Sequence, residues 1–244
     1  MIFFKPKKLV VDLFTTSSNA YEYAKPTLAK KWYPQWWKQL PKEFPVNDAL
    51  YHDSTMKRCF GMTELYQYGF IVPLWADLAI EVAPIGVSGA YRWNAATNLE
   101  MGPHAQEQRG GYLPDSHYQH LKIKNVWRAK TKEAIPFLLF QPTWNYLKPE
   151  DVIVPPGILP LHNLGSLNVN MFIPKTDQSK KVMLELGQPL VQLAPFDMRP
   201  LEVRTHLVDD KELRKQAPMP PDSFNNVFPK MKRTKEGCPL HEGA

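Results

Sequence analysis

Apolar and polar residues alternate in short runs along most of this chain, and the runs rarely exceed eight residues. Ile2, Phe3 and Phe4, followed by Leu9, Val10, Val11 and Leu13, predict a strand over residues 2–14. Trp32, Tyr33, Trp36, Trp37 and Leu40 instead keep helical spacing, broken by Pro34 and closed by Pro41. A short helix opened by Pro34 and carrying Trp36 and Trp37 fits that spacing. Ser54 or Thr55 can cap a second helix through Met62, Leu65 and Tyr66, with Gly69 as its stop. From there the pattern turns to β. Runs at 70–75, 78–82, 87–93, 121–128, 135–141, 151–154, 167–173, 182–186 and 189–194 are rich in branched and aromatic residues and are parted by Pro or Gly. A change of phase at Asn125 predicts a bulge. Residues 98–120 are polar, carry Gly, Pro and His, and read as a long loop.

This succession of short strands predicts a mainly β protein, a distorted β-barrel or sandwich of β-clip or jelly-roll type. Its expected parts are an N-terminal strand and Trp-rich helical segment over 1–64, a β domain over 65–208, and an extended, basic, Pro-rich arm over 209–244. Composition agrees. Pro makes up 24 of the 244 residues, which disfavours helix interiors, and 43% of residues are hydrophobic. No apolar run is long enough for a membrane helix, so no membrane partner is expected. The opening Met-Ile-Phe-Phe-Lys-Pro-Lys-Lys lacks the order of a secretory signal, so the expected location is a cytoplasm or a particle assembled in one. Cys59 and Cys238 are the only cysteines and form no metal or disulfide spacing.

The net charge of +6 is spread over short basic groups rather than one stripe interleaved with aromatics. Direct nucleic-acid binding is therefore not expected, and the groups read as solvated surface. Lys230, Lys232 and Arg233 in the arm remain candidates for contact with an acidic partner; Trp32, Trp36 and Trp37 are expected to staple their segment to the main body or, alternatively, to form an exposed aromatic patch for a partner. His104, His117 and His120 crowd one loop with Asp115 nearby, the residue types of a catalytic metal site. They lack an HExxH helix and the His-x-acid pair of a jelly-roll oxygenase. No GxSxG, P-loop or GxGxxG motif is present, and no cofactor is expected.

Residues 155–196 contain Pro155-Pro-Gly-Ile, then Gly165-Ser-Leu-Asn-Val, then Leu184-Glu-Leu-Gly-Gln-Pro-Leu-Val-Gln-Leu. This succession resembles the C-terminal half of trimeric dUTPases and their deaminase relatives. The resemblance implies a β-clip fold, a trimer as the favoured oligomer, and a nucleotide site to which Asp77, Gln108, Asn163 and Gln192 would contribute polar groups. In that family an acid in the first block activates water. Here Leu159, Pro160 and Leu161 stand in its neighbourhood, so the hydrolytic step lacks its general base.

A second resemblance spans most of residues 32–200. Trp36-Trp37-Lys-Gln-Leu-Pro41, Thr55-Met-Lys-Arg-Cys59, Gly69-Phe-Ile-Val-Pro-Leu-Trp-Ala-Asp77, His104 with Gln108 and Gly110, and Gly187-Gln-Pro-Leu-Val-Gln-Leu-Ala-Pro-Phe196 look similar to an uncharacterised family of marine tailed-phage and bacterial proteins. It implies a phage origin and brings no catalytic residues; where that family has acids after the Pro-Gly-Ile turn, this chain has Leu161 and His162. The expectation is thus a non-catalytic structural or accessory protein of the virion. Its partners would be other virion proteins or further copies of itself. A dUTPase-like nucleotide-binding protein and a metal-dependent jelly-roll enzyme are the alternatives.

Overall fold

The computed structural model describes residues 7–46, 51–97, 99–104, 106–145, 148, 150–162 and 165–216. In chain order, β1 (Leu9–Thr15) leads to α1 (Ser18–Tyr23), β2 (Thr27–Leu28), α2 (Gln35–Gln39), β3 (Glu43–Val46), β4 (Tyr51–Ser54) and α3 (Phe60–Gln67). Next come β5 (Phe70–Pro73), β6 (Leu78–Val82), β7 (Tyr91–Ala95), β8 (Glu100–Pro103), β9 (Tyr118–Lys124) and β10 (Arg128–Thr131). The remainder holds β11 (Phe137–Phe140), β12 (Gly157–Leu159), β13 (Val169–Pro174), β14 (Lys180–Leu184), β15 (Pro189–Pro195), β16 (Leu201–Leu207) and α4 (Asp210–Gln216). The protein is mainly β, with a short Trp-bearing helix near its start.

The strands form five small sheets: β10-β1-β16, β12-β11-β15-β5-β2, β13-β9-β8, β14-β6-β7 and the pair β3-β4. None of them closes into a barrel. Closure needs a constant stagger between strands, and here the strands are short and interrupted. The pairing of β15 with β5 shifts register between Pro189 and Val191. Four of the sheets contribute inward rows to one core. Val182, Ile80 and Leu78 from one three-stranded sheet join Ile123, Leu121, Val169 and Met171 from another, around Phe70, Trp75, Trp127 and Phe137. β15 is buried at all seven positions, because β11 and β5 flank it and the core covers it.

The chain departs from its sequence pattern in several places. The second helix does not start at Ser54. Residues 51–54 are strand, Thr55 caps a single 3-10 turn by accepting from Lys57 N, and α3 begins only at Phe60. α3 buries none of its residues, so its apolar spacing is not a core face. Its end is fixed instead by Gly69. With φ at +82° and a notional Cβ 1.9 Å from the Leu193 carbonyl oxygen, only glycine fits there. The expected strand 121–128 is two strands. Asn125 breaks it by accepting from Trp127 N at 2.9 Å, and the chain restarts as β10. The expected loop 98–120 holds β8, and residues 151–154 form only one isolated bridge, Ile153 to Phe172. In α2, Pro34 is the N-cap rather than the first helical residue. The stretch 209–216 expected to start an extended arm is helical, with Leu213 of α4 packed on Phe14 and Val208. Residues 217–244, including Lys230, Lys232 and Arg233, lie outside the described residues.

Candidate functional site

Of the residues singled out for nucleotide binding, Asp77 and Gln192 each serve the fold. Asp77 is exposed in the turn before β6, where its Oδ1 accepts from Leu186 N at 2.7 Å and its carbonyl from Ala96 N at 3.1 Å. Both bonds hold turns together. Gln192 is fully buried in β15. Its amide donates to the carbonyls of Leu65 (2.9 Å) and Tyr68 (2.7 Å), so it satisfies the C-terminal end of α3. Gln108 lies in a 3-10 turn, Gln106–Arg109, and Asn163 lies outside the described residues.

Of the three histidines, His104 and His120 meet and His117 stays apart. The rings of His104 and His120 stack at 5.0 Å, and His120 stacks on Phe172 at 4.3 Å. Parallel imidazoles offer their faces, not their lone pairs, to one another, which is the wrong geometry for a shared metal. His117 is exposed, with its Nδ1 2.8 Å from Ser116 Oγ. Among the described residues no three His, Cys, Asp or Glu side chains gather closely enough to hold an ion. Close by, Lys175 is buried, and its ammonium donates to the carbonyls of Val87 and Asp115, tying two loops together. His162, beside the Pro-Gly-Ile turn, is half-buried, and burial pushes its imidazole toward the neutral form.

Of the three tryptophans proposed for contact, Trp36 and Trp37 join Trp144 in one aromatic cluster and Trp32 stands apart from it. Trp37 is buried, stacks on Tyr33 at 6.2 Å and leans on Trp144 at 4.0 Å; Trp144 stacks on Tyr66 at 4.0 Å. Trp36 donates its indole N–H to the Trp144 carbonyl at 3.1 Å and keeps 44% of its surface exposed. Trp32 is half-buried and donates to Thr27 Oγ1 at 2.7 Å. The cluster therefore fastens α2 to α3 and to the turn after β11, and presents Trp36 outward.

Next to this cluster stands a feature the sequence pattern did not predict. Among the described residues β3 and β4 pair only with each other, in the register Phe44↔Asp53 and Val46↔Tyr51. Every strand residue is exposed except Val46, which is half-buried. Alternation puts Phe44, Val46, Tyr51 and Asp53 on one face and Glu43, Pro45, His52 and Ser54 on the other. The base of the hairpin is pinned. Thr55 Oγ1 donates to the Pro41 carbonyl at 2.6 Å, Lys57 Nζ to the Lys38 and Leu40 carbonyls, and Arg58 pairs with Glu43. A two-stranded ribbon alone in water is marginal, so these pins hold out a hairpin with both faces wet and an aromatic side, Phe44 and Tyr51, unshielded. Met56 and Phe60 beside it are exposed as well. The sequence held a signal for it: Phe44 and Val46 alternate before Asn47 and Asp48, residue types favoured between paired strands, and Tyr51 follows.

Comparison with family models, curated proteins and solved structures finds no match. The most distinctive feature of its surface is the pinned hairpin with its neighbouring aromatic cluster.

Proposed function

We propose that this protein is a structural or accessory component of a phage virion, acting by protein–protein assembly without catalysis. The observation that carries this reading is the β3–β4 hairpin. Its strands are solvated on both faces and its aromatic side, Phe44 and Tyr51, is 43% and 70% exposed. Exposed aromatics on an unpartnered ribbon gain by being covered. The pins at Thr55, Lys57 and Arg58 keep the ribbon extended from the body, which an assembly contact needs and a closed core does not. The phage-like sequence over residues 32–200 supplies the setting, and the partners are other virion proteins or further copies of this chain.

Mass spectrometry of gradient-purified particles tests the setting. The protein should be present at a fixed number of copies per particle and persist after high-salt washing. Its absence from clean particles, with abundance in the infected-cell lysate, overturns the virion reading.

A further inference from the structure

Basic groups that stand apart in the sequence are drawn together by the fold. Residues 33–43 run beside residues 57–67 in the opposite direction. Tyr33 Oη donates to Gln67 Oε1 at 3.0 Å, Lys57 Nζ donates to the carbonyls of Lys38 (3.2 Å) and Leu40 (3.0 Å), and Arg58 pairs with Glu43. Just ahead of them the 3-10 turn Ala29–Lys31 packs on α3, and Ala29 N donates to the Gly69 carbonyl at 3.0 Å. Lys30 and Lys31, Lys38 and Lys42, and Lys57 and Arg58 thus lie along one strip. Over residues 29–43 and 55–67 the chain has six cations and two acids, an excess of four in a protein whose net charge is +6.

This excess is not cancelled locally. Lys30, Lys31, Lys38 and Lys42 are exposed, and among the described residues their ammonium groups meet neither an acid nor a hydrogen-bond acceptor. Of the two acids, Glu43 is held by Arg58, and Glu64 accepts from the Gln67 amide at 2.8 Å. Aromatic surface stands among the charges. Trp36, two residues before Lys38, meets Trp37 and Trp144 edge-on rather than flat and is 44% exposed. Phe60, two residues after Arg58, is 77% exposed. Unpaired cations along a line suit successive phosphates, and exposed rings between them suit unpaired bases, each of which offers a flat face whatever its identity. A bilayer surface is met better by an apolar face separate from the charged one; here the two kinds of residue alternate.

We infer that this strip binds single-stranded nucleic acid, with Lys30, Lys31, Lys38 and Lys42 at phosphates and Trp36 and Phe60 stacking on bases. The contact leaves the Phe44 and Tyr51 side of the hairpin unused, so it goes beyond the assembly reading and stands without it. Four neutralised phosphates give a slope of about −3 in log affinity against log salt, which is roughly a fifty-fold loss between 50 and 200 mM.

Fluorescence anisotropy of a labelled oligothymidylate titrated with the full chain tests it, with Tm and far-ultraviolet circular dichroism as folding controls. The wild type should bind at low salt with that slope and bind a duplex of the same length more weakly. Lys38→Gln with Lys42→Gln should weaken binding about tenfold or more and make the slope shallower by about 1.4. Phe60→Ala, at an exposed position, should weaken it about fivefold or more and leave the slope unchanged. Lys181→Gln with Lys211→Gln removes as much charge from exposed positions elsewhere and should change the affinity far less. A wild type that does not bind at low salt overturns the inference. Binding that the Lys38, Lys42 and Phe60 variants leave intact also overturns it, because other basic residues then carry it, and so does equal affinity for the duplex. Association with phosphatidylserine vesicles in place of the oligonucleotide makes the strip a lipid contact and overturns it too. The particle measurement judges the virion reading separately.

Discussion

At the scale of single residues, the strongest constraints lie where no side chain could be exchanged. Gly69 turns the chain from α3 into β5 at φ +82°, with the Leu193 carbonyl filling the space of a Cβ. Gly69→Ala should destabilise the protein by about 3 kcal/mol or more, since both backbone strain and a clash with β15 oppose it. Urea denaturation measures this directly. The aromatic cluster divides more finely. Trp144 touches Trp36, Trp37 and Tyr66 and is buried, whereas Trp36 is half in solvent. Trp144→Ala should cost about 3–5 kcal/mol and Trp36→Ala clearly less, by the same measurement. Trp36 and Trp37 lie on one short helix, as their spacing predicts. Trp144, 107 residues beyond Trp37, could not be drawn in by any local pattern. Gln192 teaches the opposite lesson. As a polar residue in an apolar run it stood out as a candidate ligand group, yet its amide serves the carbonyls that α3 leaves open.

At the scale of elements, the joints matter more than the strands. Arg199, in the link from β15 to β16, clasps Asp197 beside it and Glu133 in the link from β10 to β11; Lys7 reaches the same Glu133 at 3.4 Å. The Arg199 guanidinium holds both carboxyls below the usual carboxylate range. Folded-state values below the unfolded ones of roughly 3.9 and 4.3 mean that the unfolded chain binds protons first as pH falls. The contribution of the clasp is therefore complete above that range and is lost as pH drops through the lower folded values. Arg199→Gln should flatten the change in urea midpoint between pH 7 and pH 3, while the wild type loses stability over that interval. The charged residues were visible in the sequence, but their meeting depends on two links brought side by side by the pairing of β11 with β15. Element boundaries failed for a related reason. Where the sequence pattern runs a strand straight through 121–128, the Asn125 side chain captures a backbone donor and ends it.

At the scale of the whole molecule, the two ends of the described chain are joined. β1 lies between β10 and β16, and its pairing with β16 is parallel, with Leu9 against Leu201 and Thr15 against Leu207. Leu201, Val203, Thr205 and Leu207 alternate, yet β16 is not among the expected strands, and its partner leaves no signal either, because a parallel pairing across almost the entire chain has no turn of its own. Fold class was readable for the same reason that topology was not: burial pattern is local, and strand choice is settled by the core as a whole. The pairing also makes the C-terminal portion indispensable in a graded way. A chain ended after Val208 loses α4 and uncovers Phe14, which should lower stability by about 2 kcal/mol and leave a soluble, folded protein. A chain ended after Pro200 loses β16 as well. β1 then becomes a seven-residue edge with Val11 and Leu13, both fully buried in the intact molecule, stripped of cover on one side. An open apolar edge of that length pairs with other chains, so this shorter form should be recovered in the insoluble fraction while the form ending at Val208 stays in solution with a moderately lowered Tm. Equal solubility of the two would mean that β1 is held by β10 and the core alone.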